Sequence, residues 1–304
     1  MSAWRQSDDL FPGNSTGPWR TWTLAAIFVA ALASVGGELV AWACVEGLKR
    51  AGLFPAALWA QATIAIVLVF GTAIALLVLW LRYFERKAMA SVGWGPAAAR
   101  GLLRGMLLGA GFLCAVVALL AGSGGARLDH PGALAHASLT NVVAAALLAL
   151  AFLIQGSAEE FIFRGWLMQV TASRYGKVIA VATSTALFTL AHAANIKLSP
   201  ELVLGLVNVF LFGTFLAVYA IRTRSLWGPC GWHAAWNWLM SVGFGLNLSG
   251  MNLGIEPFLL DMKLDANGPW WLSGGSFGPE GSVMTTAVMA ASVAFWWIAG
   301  YKQR

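Results

Sequence analysis

The sequence predicts an all-α fold, a polytopic integral membrane bundle of about eight transmembrane helices, and three observations carry that expectation. Of 304 residues, 59% are hydrophobic and 11% charged, against roughly 25% charged in a soluble domain; the mean hydropathy is +0.72. The apolar residues fall in long runs, each near the roughly 20 residues that one crossing of the hydrocarbon core requires. No strand alternation of the kind a barrel needs is present. Helices remain, because lipid leaves no backbone polar group a partner outside the chain.

The runs are Trp22–Cys44, Leu58–Leu81, Leu102–Ala121, Leu139–Val170, Val178–Ala194, Leu202–Ile221, Leu226–Leu248 and Val283–Ala299. The one long connection, Ser249–Ser282, is rich in Gly, Asp and Trp. Its Gly274–Gly281 run lacks the Lys-Ser/Thr of a phosphate loop and reads as an approach to the last helix, with Pro279, Glu280 and Ser282 suited to a helix start. No short apolar region with a cleavage site precedes the first run, so no cleavable signal peptide is expected. Cys44, Cys114 and Cys230 lie in apolar segments without CxxC spacing, which implies no disulfide framework.

The net charge of +6 is scattered between apolar spans rather than clustered, so it reads as topology and not as a nucleic-acid surface. With the N-terminus inside and eight crossings, the cytoplasmic side collects 14 of the 19 Lys and Arg residues. That excess puts both termini in the cytoplasm and Ser249–Ser282 outside. Glu38 and Glu46, near the outer end of the first run, are read as snorkelling to the interface. His130 and His136 are read as solvated loop residues without a role.

Three polar intrusions break the apolar runs. The first is Gln155–Arg164, with adjacent carboxylates Glu159 and Glu160 and then Arg164. An ionised side chain in the bilayer costs roughly 2.5–3.5 kcal/mol on insertion scales, so such a cluster is a functional site by default. The second is Phe188–His192, with Asn195 beyond it. The third is His233–Asn237, whose end residues share a helix face. At a rise of about 1.5 Å per residue, Glu159 lies about 22 Å above Arg174 and His192 about 22 Å above Lys177, which puts them at one level. His233 lies only about 10 Å above Leu226, a mismatch that the sequence leaves open.

In that order the three motifs, Glu159-Glu160-x-x-x-Arg164, Phe188-x-x-x-His192 and His233-x-x-x-Asn237, resemble the CPBP intramembrane proteases, which include the type II CAAX prenyl endopeptidases and bacterial Abi-type proteins. The resemblance covers about Asn141–Asn247. It implies the following organisation: a cytoplasmic tail over 1–21, accessory helices over 22–137, a catalytic core over 138–248, an extracytoplasmic loop over 249–282, and a last helix with a short tail over 283–304. It also implies an endopeptidase acting in a membrane, expected to be a bacterial inner membrane, on a membrane-associated or lipid-modified polypeptide of which CAAX-type prenylated chains are one branch. Glu159 would be the general base, His192 would orient the water, His233 and Asn237 would stabilise the oxyanion, and Glu160 and Arg164 would form an ion pair that tunes Glu159.

Two histidines and a carboxylate also suit zinc with a water in the fourth position, and Glu159, His192 and His233 are the ligands a metal would take. The HExxH spacing of zinc proteases is absent, and a metal-free, glutamate-activated water is the preferred expectation. A transporter or channel using the same buried charges is the alternative, against which no inverted repeat is visible. An inactive scaffold is a third. Partners are the polypeptide substrate and the lipid bilayer, with no nucleic acid; the sequence fixes no oligomeric state.

Overall fold

The computed structural model describes residues 9–12, 18–96, 98–136 and 138–301. Much of the expected cytoplasmic tail, residues 1–8 and 13–17, and residues 302–304 lie outside the described set.

The protein is a helical membrane bundle. Helix α1 spans Thr23–Arg50, α2 Leu58–Leu79 with a π turn over Trp80–Glu85, and α3 Ala98–Gly122. Helix α4, Leu139–Glu160, starts on a Ser138 cap that accepts from the Asn141 N–H at 3.2 Å. It continues as a π segment, Phe161–Leu167, into α5, Met168–Ala191. The expected break between the fourth and fifth runs falls at Gly176, whose φ of 79° and ψ of 171° turn the chain, a conformation that glycine adopts without steric cost. Helix α6, Pro200–Thr223, has Ser199 as its N-cap and Pro200 in its first turn, the arrangement that leaves no needed N–H missing.

Among the described residues, five stretches are long and apolar enough to cross a membrane: Thr23–Arg50, Leu58–Glu85, Ala98–Gly122, the broken run Leu139–Ala191, and Pro200–Thr223. The expected count of about eight is not reached on these grounds: the fourth and fifth runs form the one broken stretch Leu139–Ala191, the last run is apolar only over Val283–Phe295, and α7 is short. It spans Trp227–Trp238 and ends in a π turn at Leu239–Gly243, short of the expected Leu248. Every residue from Gly228 to Asn237 is buried. A helix sheathed by its neighbours does not need the length that the bilayer imposes on an outer one. The last helix, α9, spans Val283–Tyr301 after a four-residue helix α8, Trp270–Ser273.

Small residues let α7 sit at the centre. A Cβ at Gly105 of α3 would collide with the Gly228 carbonyl, and one at Gly109 with the Trp232 carbonyl. This is the close backbone approach that glycines at four-residue spacing provide in membranes. Around α7 the core is aromatic, with Trp232, Trp236, Phe188, Phe212 and Phe215 fully or almost fully buried.

The two ends of the bundle differ. One carries Arg82, Arg86, Arg174, Arg222 and Arg224 and is called the basic end. There Leu10 and Phe11 pack with Met168, Leu226 and Cys230, Trp94 stacks on Phe161 at 4.5 Å, and Arg174 Nη2 donates to the Trp19 carbonyl at 2.7 Å. The other end carries a small antiparallel sheet of β1, Ala126–Pro131, and β2, Leu260–Leu264, with Ala126 opposite Leu264 and Pro131 opposite Leu260. Both segments read as loop in the sequence. Apart from Ala126, β1 is exposed, so no buried face gave it a period-two pattern.

Candidate active site

Successive helical residues point about 100° apart, and that separates the two adjacent carboxylates. The Glu160 side chain is 0% exposed, whereas that of Glu159 is 14% exposed. Glu160 Oε1 accepts from Arg164 Nη1 at 3.0 Å and from His233 Nδ1 at 2.9 Å. Arg164 is itself fully buried, with its guanidinium 3.9 Å from the Phe188 ring centroid, a desolvated cation–π geometry. A buried carboxylate with a guanidinium and an imidazole on it has the partners that make such burial tolerable.

His233 joins the two glutamates. Its Nδ1 meets Glu160, and its Nε2 lies 3.6 Å from Glu159 Oε2, too far for a hydrogen bond but close for opposite charges. Helix α7 reaches α4 because residue 156 is glycine: a Cβ there would stand 3.0 Å from Ala234 N and 3.1 Å from His233 Cβ. The depth mismatch read from the sequence closes at the start of α7. Leu226 N donates to the Gly93 carbonyl at 2.9 Å, and the Leu226 side chain packs against Gly165. Helix α7 therefore begins level with Gly165, inside the bundle, while α4 and the first part of α5 run on to Arg174.

Glu159, His192, His233 and Asn237 all line one cavity of about 310 Å³. His192 is the C-cap of α5, and its Nδ1 lies 2.9 Å from the Phe188 carbonyl. A carbonyl only accepts, so Nδ1 carries the proton, and the neutral ring keeps Nε2 as an acceptor. The Asn237 amide has no hydrogen bond to another described residue, and Asn195 is tied off on the Ser249 carbonyl at 3.0 Å. Glu160 and Arg164 do not line the cavity; they lie behind His233.

Several lining residues that the sequence brought into view were given no part in the site. Gln155, one turn before Glu159, is buried in the wall with its Oε1 unpartnered among the described residues. Glu280, read as part of a helix start, is 6% exposed. It accepts from Trp236 Nε1 at 2.9 Å, from Ser249 N at 2.7 Å and from Ser249 Oγ at 2.6 Å. Pro279 and Glu280 do open a short helical turn, Pro279–Gly281, and Ser282 caps α9, accepting from Thr285 N at 3.2 Å. Glu38, read as snorkelling, lines the cavity with Ser34, Val69 and Phe70 of α1 and α2.

The donor set of Glu159, His192 and His233 has zinc chemistry, but the geometry does not gather it. Among the described residues, the one group of three with ligand atoms within 4.8 Å of one another is Asp129, His130 and Asp261 on the sheet. There the Lys263 ammonium already stands 2.8 Å from Asp261 Oδ1.

A family model described as Rce1-like, type II CAAX prenyl endopeptidase Rce1-like, matches residues 141–239, about a third of the chain. The match spans Glu159, Glu160, Arg164, His192, His233 and Asn237 and excludes Glu38 and Glu280. No curated protein and no solved structure matches significantly. Over residues 141–239, the stretch that builds the paired-glutamate side of the cavity, the chain is thus similar to the type II CAAX prenyl endopeptidases.

Proposed function

We propose that the protein is a glutamate-type intramembrane endopeptidase that hydrolyses a peptide bond of a membrane-associated or lipid-modified polypeptide. One observation carries this: His233 is clamped between Glu160 and Glu159 on the wall of a cavity that also holds His192. Hydrolysis needs a water made nucleophilic, donors for the oxyanion and a proton for the leaving amine. Glu159, the more accessible carboxylate, takes the proton from a water that His192 Nε2 helps orient. It then returns that proton to the leaving nitrogen. Glu160 holds His233 by Nδ1, so that Nε2 faces the reacting carbonyl beside the Asn237 amide. With His233 doubly protonated, two carboxylates, one guanidinium and one imidazolium sum to zero charge, which a low-dielectric site favours.

A zinc ion held by Glu159, His192 and His233 would supply Lewis acidity, but their ligand atoms do not gather within 4.8 Å of one another. The basic end supports an orientation with both termini cytoplasmic. CAAX-type prenylated chains are one branch of the substrate class.

The test uses purified full-length protein in proteoliposomes with a membrane-anchored polypeptide reporter. Glu159→Gln and His192→Ala should abolish cleavage while thermal unfolding stays unchanged, and cleavage should persist in a strong chelator. Undiminished cleavage by Glu159→Gln would contradict the proposal.

A further inference from the structure

Glu38 is the one charged residue on α1 between Thr23 and Val45. About 12 Å of helix separates it from Glu46, which pairs with Lys49 at 3.0 Å. Glu38 has no ion-pair partner among the described residues. A Cβ at its neighbour Gly37 would collide with the Val69 carbonyl, so α1 is drawn against α2 at this level. Ser34, one turn earlier on the same face, and Val69 and Phe70 opposite, line the cavity with it. Glu38 is exposed and therefore stands at the mouth.

The chemistry of the lining points to a ligand. It includes the carboxylates Glu38, Glu159 and Glu280 and, among the described residues, no Lys or Arg. Glu280 is committed to Trp236 and Ser249, and Glu159 faces His233. Gln155 is a second and independent acceptor: it is 8% exposed, and its Oε1 has no partner among the described residues. A lone carboxylate in an otherwise apolar crossing is unfavourable, and a cationic ligand would offset that cost.

We propose that Glu38 is a specificity residue that binds a cationic group of the polypeptide substrate, a Lys or Arg side chain or a free amino terminus, at the mouth of the cavity. This deepens the proteolytic reading and rests on it, but its test needs no turnover. Full-length protein carrying Glu159→Gln is titrated with three short apolar peptides. One is N-acetylated with a central lysine, one is N-acetylated with norleucine there, and one has norleucine and a free amino terminus. A charged peptide should bind about tenfold tighter than the neutral one, less so at high salt. Which charged peptide gains identifies the cationic group.

Adding Glu38→Gln should remove the advantage, and Glu38→Lys should transfer it to a peptide with central glutamate. Glu46→Gln should leave it intact. Equal affinities in the parent, no binding of any peptide, or an advantage that survives Glu38→Gln in a protein with unchanged thermal unfolding would overturn the proposal. If the advantage stands while wild-type protein cleaves no reporter, proteolysis falls and the cation site remains.

Discussion

Helices α1 and α2 and the core of α4 to α7 use the same apolar alphabet but differ in how they hold the charges that reach the cavity. In their most apolar windows α1 is 28% buried and α2 17%, against 56% for α6. In the core, Glu160, Arg164 and His233 partner one another, and Glu280, from the segment before α9, is held there by Trp236 and Ser249. On α1, Glu38 reaches none among the described residues, although it stands on the same cavity. Paired polar groups in the core hold the site in shape, and the unpaired one on the outer pair is free to meet what enters. Bilayer cost alone does not tell the two apart; partners do.

Breaking the core should hurt most. Glu160→Gln leaves Arg164 without its buried counter-charge and should destabilise the protein by about 3–5 kcal/mol, read in chemical denaturation in detergent. The double replacement Glu160→Leu with Arg164→Met should recover most of that stability, but not the cleavage activity. Next comes the approach of α7 to α4. Gly156→Val adds volume against His233 and Ala234 and should cost about 1–3 kcal/mol, with the His233 Nδ1–H resonance losing its downfield, carboxylate-bonded shift. Trp236→Phe removes one of three donors from Glu280 and should cost about 1–3 kcal/mol, visible as a lower unfolding midpoint. The outer pair sets the lower bound. Glu46→Gln breaks an exposed Lys49 contact and should change stability by less than about 1 kcal/mol.

Much of the core was legible in the sequence because charge in an apolar run is costly enough to be conspicuous. Glu159, Glu160, Arg164, His192, His233 and Asn237 stood out one by one, and the resemblance tied them together. The pairing within them was not legible. That His233 takes Glu160 on one nitrogen and faces Glu159 with the other depends on where α7 starts, and Leu226 is set by packing on Gly93 and Gly165, not by its own run. The full length of α7 was misread for the same reason: burial on all sides removed the bilayer's constraint. Gly101, Gly105 and Gly109 did carry a sequence signal, small residues every fourth position, that would have predicted close packing of α3. Glu280 and the β1–β2 sheet were hidden because chain-distant segments make them.

The central claim is that Glu159 delivers a water to a peptide carbonyl. Cleavage of a reporter by purified protein in ¹⁸O-labelled water, followed by mass spectrometry of the new carboxyl terminus, tests it most directly. Wild-type protein should place one labelled oxygen in that terminus at a rate that Glu159→Gln lowers by about 10²–10⁴-fold. Equal labelling rates in the two proteins would contradict the account.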